Sequence, residues 1–340
     1  MRKNYLLALA AGLLIAGSIH AQTQVSVGVK GGLNIPNITA GGEKTPLSEG
    51  YSSRTAGAGG IVVEFRFDRR WSLVTGLEYS GQGGRKTGMQ AVPSGQILNP
   101  MIDGVMGNTA LTENLAAVAT GLGMGGNTTG ATQVGGLGAA LAGLPAEAPE
   151  YLYADFESTA KFNYIMLPVQ ARIGWQLGGT SSWRVYVQAG LFGSYLVSGK
   201  RVSSGTSAVY ANQDGAKLST LLTGKINSVV TDLPARGAVM TVFTTAEPTT
   251  GLSAIDQIDA ERDFNNTQGI TRDLYRWNVG FIGAAGINYN LKCRHNFFLE
   301  AGGNYGFVKI QKNATNGQNR IGAGSVQIGY SYSLGKICRK

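Results

Sequence analysis

The final stretch of the chain, Ser325 to Lys336, constrains the fold most because it changes face at every residue. Its even-numbered residues from 326 to 334 are apolar or aromatic, and its odd-numbered residues from 325 to 333 are small or polar. A period of two residues is typical of a β-strand with two different surroundings. The apolar side faces either the core of a soluble sandwich or the lipid around a membrane barrel.

Composition narrows the class of protein further. Hydrophobic residues make up 43% of the 340 residues and charged residues only 14%, with 51 glycines, so the chain is not a disordered one. Beyond the N-terminus it has no apolar run of about 20 residues, which argues against helical membrane spans. The formal charge of +9 is spread along the chain and forms no basic arm. We therefore expect no nucleic-acid partner.

Residues 1–21 have the layout of a secretory signal peptide. Arg2 and Lys3 precede the apolar run Leu6–Ile15, and small residues lead up to Ala21. This run is too short to span about 30 Å of hydrocarbon as a retained anchor. We expect Sec-type export with cleavage near Ala21, leaving residues 22–340 as one domain.

The alternation of the last stretch recurs along the mature chain and predicts seven further strands: Gln24–Asn34, Gly57–Phe67, Trp71–Ser80, Phe162–Leu177, Arg184–Ser198, Tyr275–Leu291 and Phe297–Ile310. Short connections at 68–70, 178–183 and 291–296 alternate with longer ones at 35–56, 81–157, 199–271 and 311–320. Membrane barrels have short periplasmic turns and long extracellular loops. The predicted fold is an all-β, eight-stranded antiparallel up-and-down transmembrane β-barrel.

The two largest connections, about 81–157 and 199–271, show no sustained alternation. We expect them to be long, largely irregular extracellular loops, with a helix near Ala254–Arg262 in the second. Outward-facing aromatic residues are predicted to form two belts at the membrane interfaces. The belt residues are Trp71, Trp175, Tyr289, Phe297 and Tyr332 next to the short turns, and Tyr79, Tyr195, Trp277 and Phe307 next to the long loops.

Charged residues on the predicted inward faces carry both signs and are expected to pair across the lumen. They are Lys30, Glu64, Arg66, Glu78, Arg172 and Glu300. In an eight-stranded barrel the interior is just wide enough for side chains to fill it. A polar plug that closes the barrel is the first interpretation, and a selective ion path is the alternative.

Features that would indicate catalysis or a cofactor are weak. The two histidines are His20, in the predicted signal peptide, and His295, in a predicted periplasmic turn, so we predict no enzyme. The segment Gly121–Gly126 formally matches G-x-G-x-x-G but follows no strand, so we predict no cofactor, and we predict no metal site. Cys293 and Cys338 both fall at the predicted periplasmic end. They can form a disulfide or remain two free thiols, and the sequence favours neither alternative.

Several strands resemble the PorT-like, porin-family outer-membrane β-barrel proteins of Bacteroidetes-type bacteria. The matching stretches are Val27–Asn34, Ile61–Phe65, Trp71–Leu77 and Tyr164–Val169, which cover the strands and not the two large loops. The resemblance implies an outer-membrane location.

From these observations we expect a non-enzymatic outer-membrane barrel with a plugged polar lumen. Its partners are expected to be outer-membrane lipid and, through the long loops, a surface protein or a glycan. The alternatives are a small porin or transport accessory and, as the resemblance implies, a secretion or assembly factor.

Overall fold

The alternating segments form one closed sheet in the computed structural model, which describes residues 24–40, 45–106, 113, 149–178, 182–230, 236–246, 253–291, 294–313 and 318–334. The strands within these residues are β1 Gln24–Ala40, β2 Ala56–Arg66, β3 Trp71–Lys86, β4 Met89–Pro93, β5 Tyr151–Asp155, β6 Glu157–Gln176, β7 Trp183–Ser204, β8 Thr206–Ser207, β9 Val209–Tyr210, β10 Arg262–Asp263, β11 Asn266–Gly269, β12 Trp277–Leu291, β13 His295–Gly306 and β14 Asn319–Ser333. The helices are α1 Ser94–Met106, α2 Leu218–Val230, α3 Arg236–Thr244 and α4 Ala254–Asp259, with a 3-10 turn at Thr271–Asp273.

Eight strands close into an antiparallel barrel in the order β1-β2-β3-β6-β7-β12-β13-β14. The ring closes where β14 pairs with β1, from Ser26 opposite Ser333 to Ala40 opposite Asn319. Each barrel strand pairs with the barrel strands before and after it in the chain, which is up-and-down connectivity. The predicted fold class is confirmed, and closure leaves no barrel strand with an unpaired edge.

Several barrel strands extend beyond their predicted ends on the side of the long connections, whereas β12 begins two residues after its predicted start and β13 ends four residues before its predicted end. β1 continues to Ala40, β3 to Lys86 and β7 to Ser204, about six residues past the ends of their alternation. Hydrogen bonding between strands does not require an apolar outer face once the strands have left the lipid. The alternation therefore marks only the part of each strand that faces hydrocarbon.

Glycines on the inward face make room for large side chains of the neighbouring strand. Gly286 lies opposite Tyr186, and a Cβ added to the glycine would be 2.5 Å from the tyrosine oxygen. Gly280 lies opposite Phe192, and an added Cβ would be 2.7 Å from the phenyl ring. The interior of the barrel is thus filled by pairing an inward ring with an inward glycine, which accounts for part of the high glycine content.

The two large insertions contribute residues 86–158 and 203–266 to a second compact unit. β5 pairs with β4 and β9 in a small sheet, and α2 packs with α3 and α4. Leu152, Val209, Leu218 and Phe243 are almost completely buried. Within their described residues, these insertions contain more regular structure than the sequence predicted, because strands of two to five residues are too short to show a period of two.

The predicted helix near Ala254–Arg262 is present as α4 and is confirmed. Its start is a capping box, in which the Ser253 hydroxyl and the Asp256 backbone N–H are 3.1 Å apart and the Asp256 carboxylate accepts from Ser253. The hydrogen bond from the Ser253 hydroxyl lowers the pKa of the Asp256 carboxyl below its usual value. A short helix of this kind depends on its cap, because four N–H groups at its start lack helical partners.

Candidate functional site in the barrel interior

Inward side chains from five of the barrel strands meet in a charged network at the middle of the barrel. The six residues predicted for this network are Lys30 on β1, Glu64 and Arg66 on β2, Glu78 on β3, Arg172 on β6 and Glu300 on β13. All are buried except Arg66, which is partly exposed. The alternation of each strand places these side chains inward, and closure of the sheet then brings them together.

Glu300 is the centre of this network. Its Oε1 is 3.4 Å from Lys30 Nζ, and its Oε2 is 3.5 Å from Arg172 Nη2. Oε2 also accepts hydrogen bonds from Gln188 Nε2 at 2.9 Å and from the Tyr186 hydroxyl at 3.2 Å. Four groups from three other strands therefore hold one carboxylate, which compensates for its removal from water.

Two further carboxylates complete the pairing. Lys30 Nζ lies 2.6 Å from Glu78 Oε1, and Arg172 Nη1 lies 3.1 Å from Glu64 Oε2. The Arg172 guanidinium also stacks over the ring of Tyr186, with 4.0 Å between Cζ and the ring centroid. The network is continuous, because each of the two central cations contacts two carboxylates.

Arg184 also belongs to this network, although sequence reasoning missed it. Its Nη1 is 3.7 Å from Glu64 Oε1, and its Nη2 donates to the backbone oxygen of Arg70 at 3.1 Å. Arg66 Nη2 lies 3.3 Å from the same Glu64 oxygen. The signal was present, because Arg184 shares its parity with the inward residue Gln188. With Arg184 included, four cations face three carboxylates.

A small cavity adjoins the network on its polar side. The volume in which the centre of a water molecule fits is about 20 Å³. Its lining includes Lys30, Glu78, Gln170, Asn304 and Gln327. This volume is enough for one or two water molecules, and the lining supplies both donors and acceptors for them. Gln170 is buried and its Nε2 has no protein partner among the described residues, so it is available to such a water.

Towards the long connections the inward face becomes apolar. Phe162, Tyr164, Met166, Phe192 and Leu196 are each at most 4% exposed and form a single cluster. Buried residues from the loops and from β1 and β14 join it: Ile38, Ile270, Leu274, Ile310 and Ile321. The expectation of a polar inward face is wrong at this end. Alternation cannot separate two faces that are both apolar, and an interior filled by side chains does not have to be polar.

The aromatic belt beside the short turns is a row of cross-strand neighbours. Trp183 on β7 lies opposite Tyr289 on β12, Tyr289 opposite Phe297 on β13, and Phe297 opposite Tyr330 on β14. The ring centroids of the first pair are 4.8 Å apart and those of the last pair 5.3 Å apart. Trp183 and Tyr330 were not predicted as belt residues. Such pairs stabilise adjacent strands and suit a membrane interface.

The second belt lies at the other end of the same strands. Tyr195 on β7 is opposite Trp277 on β12, with ring centroids 5.0 Å apart, and Trp277 is 70% exposed. Trp277 and Tyr289 are twelve residues apart on β12, which corresponds to about 40 Å along the strand and about 28 Å of height at a tilt of about 45°. That height matches the apolar band of about 25 Å expected for a membrane barrel.

The other predicted belt residues also lie on the outside of the barrel. Trp71, Tyr79, Trp175, Phe297 and Phe307 are 42–52% exposed, and Tyr332 and Tyr289 are half-buried. Outward Val, Leu and Ile side chains fill the band between the belts, among them Val29 at 57% and Ile328 at 68% exposure. An apolar surface of this extent indicates contact with lipid.

Other predicted features fall outside or apart from this network. His295 pairs with Tyr330, with 2.8 Å between its Nδ1 and the tyrosine oxygen. Residues 1–21, Gly121–Gly126, Cys293 and Cys338 lie outside the described residues. Within the described ranges, no group of three or more His, Cys, Asp or Glu side chains is arranged to hold a metal ion. No helix of the described chain is long and apolar enough to cross a membrane.

Solved structures that align with this chain include outer-membrane proteins of low sequence identity. Ail, the attachment invasion locus protein of Yersinia pestis, was solved with the heparin analogue sucrose octasulfate; it is 8% identical, with a TM-score of 0.28, over 92% of this chain and 99% of that chain. OprG from Pseudomonas aeruginosa is 8% identical, with a TM-score of 0.29, over 92% and 98%. The outer membrane protease OmpT from Escherichia coli is 8% identical, with a TM-score of 0.36, over 93% and 100%.

A comparison with curated protein sequences found no match. A family described as "Outer membrane protein beta-barrel domain" matches residues 20–312, which is most of the chain. The match covers seven complete strands of the ring: β1, β2, β3, β6, β7, β12 and β13. The protein therefore belongs to the outer-membrane β-barrel domain family and resides in the outer membrane.

Proposed function

We propose that the protein is a non-enzymatic outer-membrane barrel with a closed interior, which presents its two long insertions for binding at the cell surface. The observation that carries the proposal is the pairing of buried charges across the barrel, centred on Glu300. Lys30 and Arg172 reach this carboxylate from β1 and β6, so the network spans the width of the interior. The proposed role of the barrel is that of a rigid membrane support.

Energetic reasoning supports the closed interior. Removing one partner of a buried ion pair costs about 3–5 kcal/mol, so the paired side chains hold one another in place across the interior. The apolar cluster around Phe192 and Tyr164 adds a second obstacle, because ions do not shed their water in an apolar constriction without a large cost. Both layers have to rearrange before ions pass.

The second compact unit supports a binding role for the insertions. Its sheet buries Leu152 and Val209 on one face. Tyr151, Tyr153 and Tyr210 alternate with these buried residues along β5 and β9 and are only half-buried. Tyrosine provides rigid amphipathic contact area and is common in binding surfaces. The proposed partner is a surface protein or a glycan.

Single-channel recording in planar bilayers tests the closed interior. The full-length protein is expected to give no steady conductance, whereas a porin of known conductance in the same membrane provides the positive control. Steady open channels from the folded protein contradict the proposal and favour the alternative of a small porin, for which the water-sized cavity beside Lys30 is the supporting observation.

Excision of the insertions tests the binding role. Residues 87–156 and 205–265 are replaced by short Gly/Ser linkers, separately and together. The barrel is expected to fold, as judged by heat-dependent migration in SDS gels, because its pairing network lies in the strands. Binding to cells or to a glycan array is expected to be lost. Unchanged binding by the folded double-deletion barrel contradicts the proposal.

Two finer assignments are part of the same proposal. Residues 1–21 are removed on export, so N-terminal sequencing of the purified protein should begin at Gln22. Within the family, the protein groups with the PorT-like members, an assignment supported by Val27–Asn34 in β1 and Tyr164–Val169 in β6. If it has their secretion or assembly role, deletion of its gene abolishes export of a cargo protein; intact export excludes that role.

A further inference from the structure

The first short turn, residues 67–71, has the sequence F-D-R-R-W, in which two adjacent arginines lie between two aromatic residues. Phe67 and Trp71 point outward and are 40% and 52% exposed. Arg69 and Arg70, between them, are also exposed. Two apolar rings at the level of the aromatic belt therefore flank two guanidinium groups on the side facing water.

The backbone of this turn is held in place from inside the barrel. The Phe67 N–H donates to the Trp71 carbonyl oxygen at 3.1 Å. Arg184 Nη2 donates to the carbonyl oxygens of Arg70 at 3.1 Å and Arg69 at 3.4 Å. Because these bonds use only backbone oxygens of the turn, both of its arginine side chains are left available, on a fixed backbone.

The charges of the turn have no partner in the described part of the protein. Among the residues that the structure describes, no hydrogen bond or ion pair involves the guanidinium groups of Arg69 and Arg70, and Asp68 forms no ion pair with them. Arg294, on another short turn, differs because its Nη1 donates to the Tyr332 hydroxyl at 2.9 Å. The turn is thus a site of unpaired positive charge beside the membrane interface.

We propose that the turn at residues 67–71 binds the phosphate of an anionic phospholipid headgroup in the periplasmic leaflet. Arginine matches phosphate with two parallel hydrogen bonds, and two adjacent arginines can share one phosphodiester. The Phe67 and Trp71 rings contact the acyl and glycerol part of the same lipid. A lipid satisfies both features of the turn, whereas a free anion satisfies only the charges.

Lipid retention by the full-length protein tests the proposal. The protein is reconstituted in nanodiscs that contain equal amounts of phosphatidylglycerol and phosphatidylcholine, and native mass spectrometry measures the lipids that remain bound. Wild type is expected to retain phosphatidylglycerol preferentially. Each basic residue near an anionic surface contributes about a fivefold factor, so Arg69→Gln/Arg70→Gln should lower this preference by roughly 25-fold.

A control variant and a competition arm make the result decisive. Arg294→Gln removes one exposed arginine from the same end of the barrel and should lower the preference by no more than about fivefold, well short of the effect of the double variant. Heat-dependent gel migration checks that each variant is folded. Equal retention by the folded double variant and wild type overturns the proposal. Displacement of the lipid by an excess of inorganic phosphate also overturns it, because the turn is then a site for free anions.

Discussion

Removal of the charge on Glu300 is the perturbation that most directly tests the pairing network. In Glu300→Gln the side chain keeps its size, but its ion pairs with Lys30 at 3.4 Å and Arg172 at 3.5 Å are lost. In wild type, Gln188 and Tyr186 donate hydrogen bonds to the Glu300 carboxylate. The amide nitrogen of the glutamine in the variant is itself a donor and cannot accept them.

The structure sets the size of the expected effect. Loss of one partner of a buried ion pair costs about 3–5 kcal/mol, and hydrogen bonds to a charged group contribute about 1.5–3 kcal/mol each. Lys30 keeps Glu78 at 2.6 Å and Arg172 keeps Glu64 at 3.1 Å, so neither cation is left alone. We therefore expect the lower end, about 3 kcal/mol, or roughly 150-fold in the unfolding equilibrium constant.

Urea unfolding in phospholipid vesicles, followed by tryptophan fluorescence, measures this change in free energy. Asp68→Asn is the matched control, because it converts an exposed carboxylate without an ion pair and should shift the free energy of unfolding by less than about 0.5 kcal/mol. The double variant Arg172→Gln/Glu300→Gln should lose less unfolding free energy than the two single variants Arg172→Gln and Glu300→Gln lose in sum. The expected difference is about 1–3 kcal/mol. A Glu300→Gln change as small as that of the control refutes the reasoning.

Two further predictions follow from local geometry. Gly286→Val should prevent most of the protein from reaching the heat-resistant folded form on SDS gels, since its side chain would overlap the Tyr186 ring, whereas Gly324→Val, with open space around it, should fold normally. Ser253→Ala should raise the pKa of Asp256 towards its usual value in an NMR titration, because the hydroxyl hydrogen bond that lowers the pKa is gone. In wild type this carboxyl stabilises α4 above its unfolded pKa, and the contribution is lost as pH falls through the lower folded pKa.

The alternation in the sequence predicted where strands face lipid but not where they end. Trp277 to Leu291 of β12 is nearly the predicted segment, because both of its ends lie at aromatic belts. β1 and β7 run on well beyond the lipid, where pairing between strands alone maintains them. The alternation of side chains depends on what surrounds a strand, whereas backbone hydrogen bonding between strands does not depend on it.

The charged site was only partly predictable for a related reason. Inward charges such as Lys30 and Glu300 stand out because an uncommon residue type interrupts a face of small polar residues. Arg184, at the start of its strand and beside a turn, gave the same parity signal but had little alternation before it. The apolar cluster around Phe192 gave no signal, since apolar residues occur on both faces of this end of the strand.

By itself, the sequence determined the eight lipid-facing strands, their order in a closed ring and the residues that face the membrane, because these depend on a local period of two and on the lengths of connections. Only the tertiary structure decided which charges meet and which inward side chains form the apolar cluster. Lys30 and Glu300 are 270 positions apart, and β5 pairs with β9 across more than fifty residues. Contacts over such distances arise only when the sheet closes and the insertions fold, and no local pattern records them.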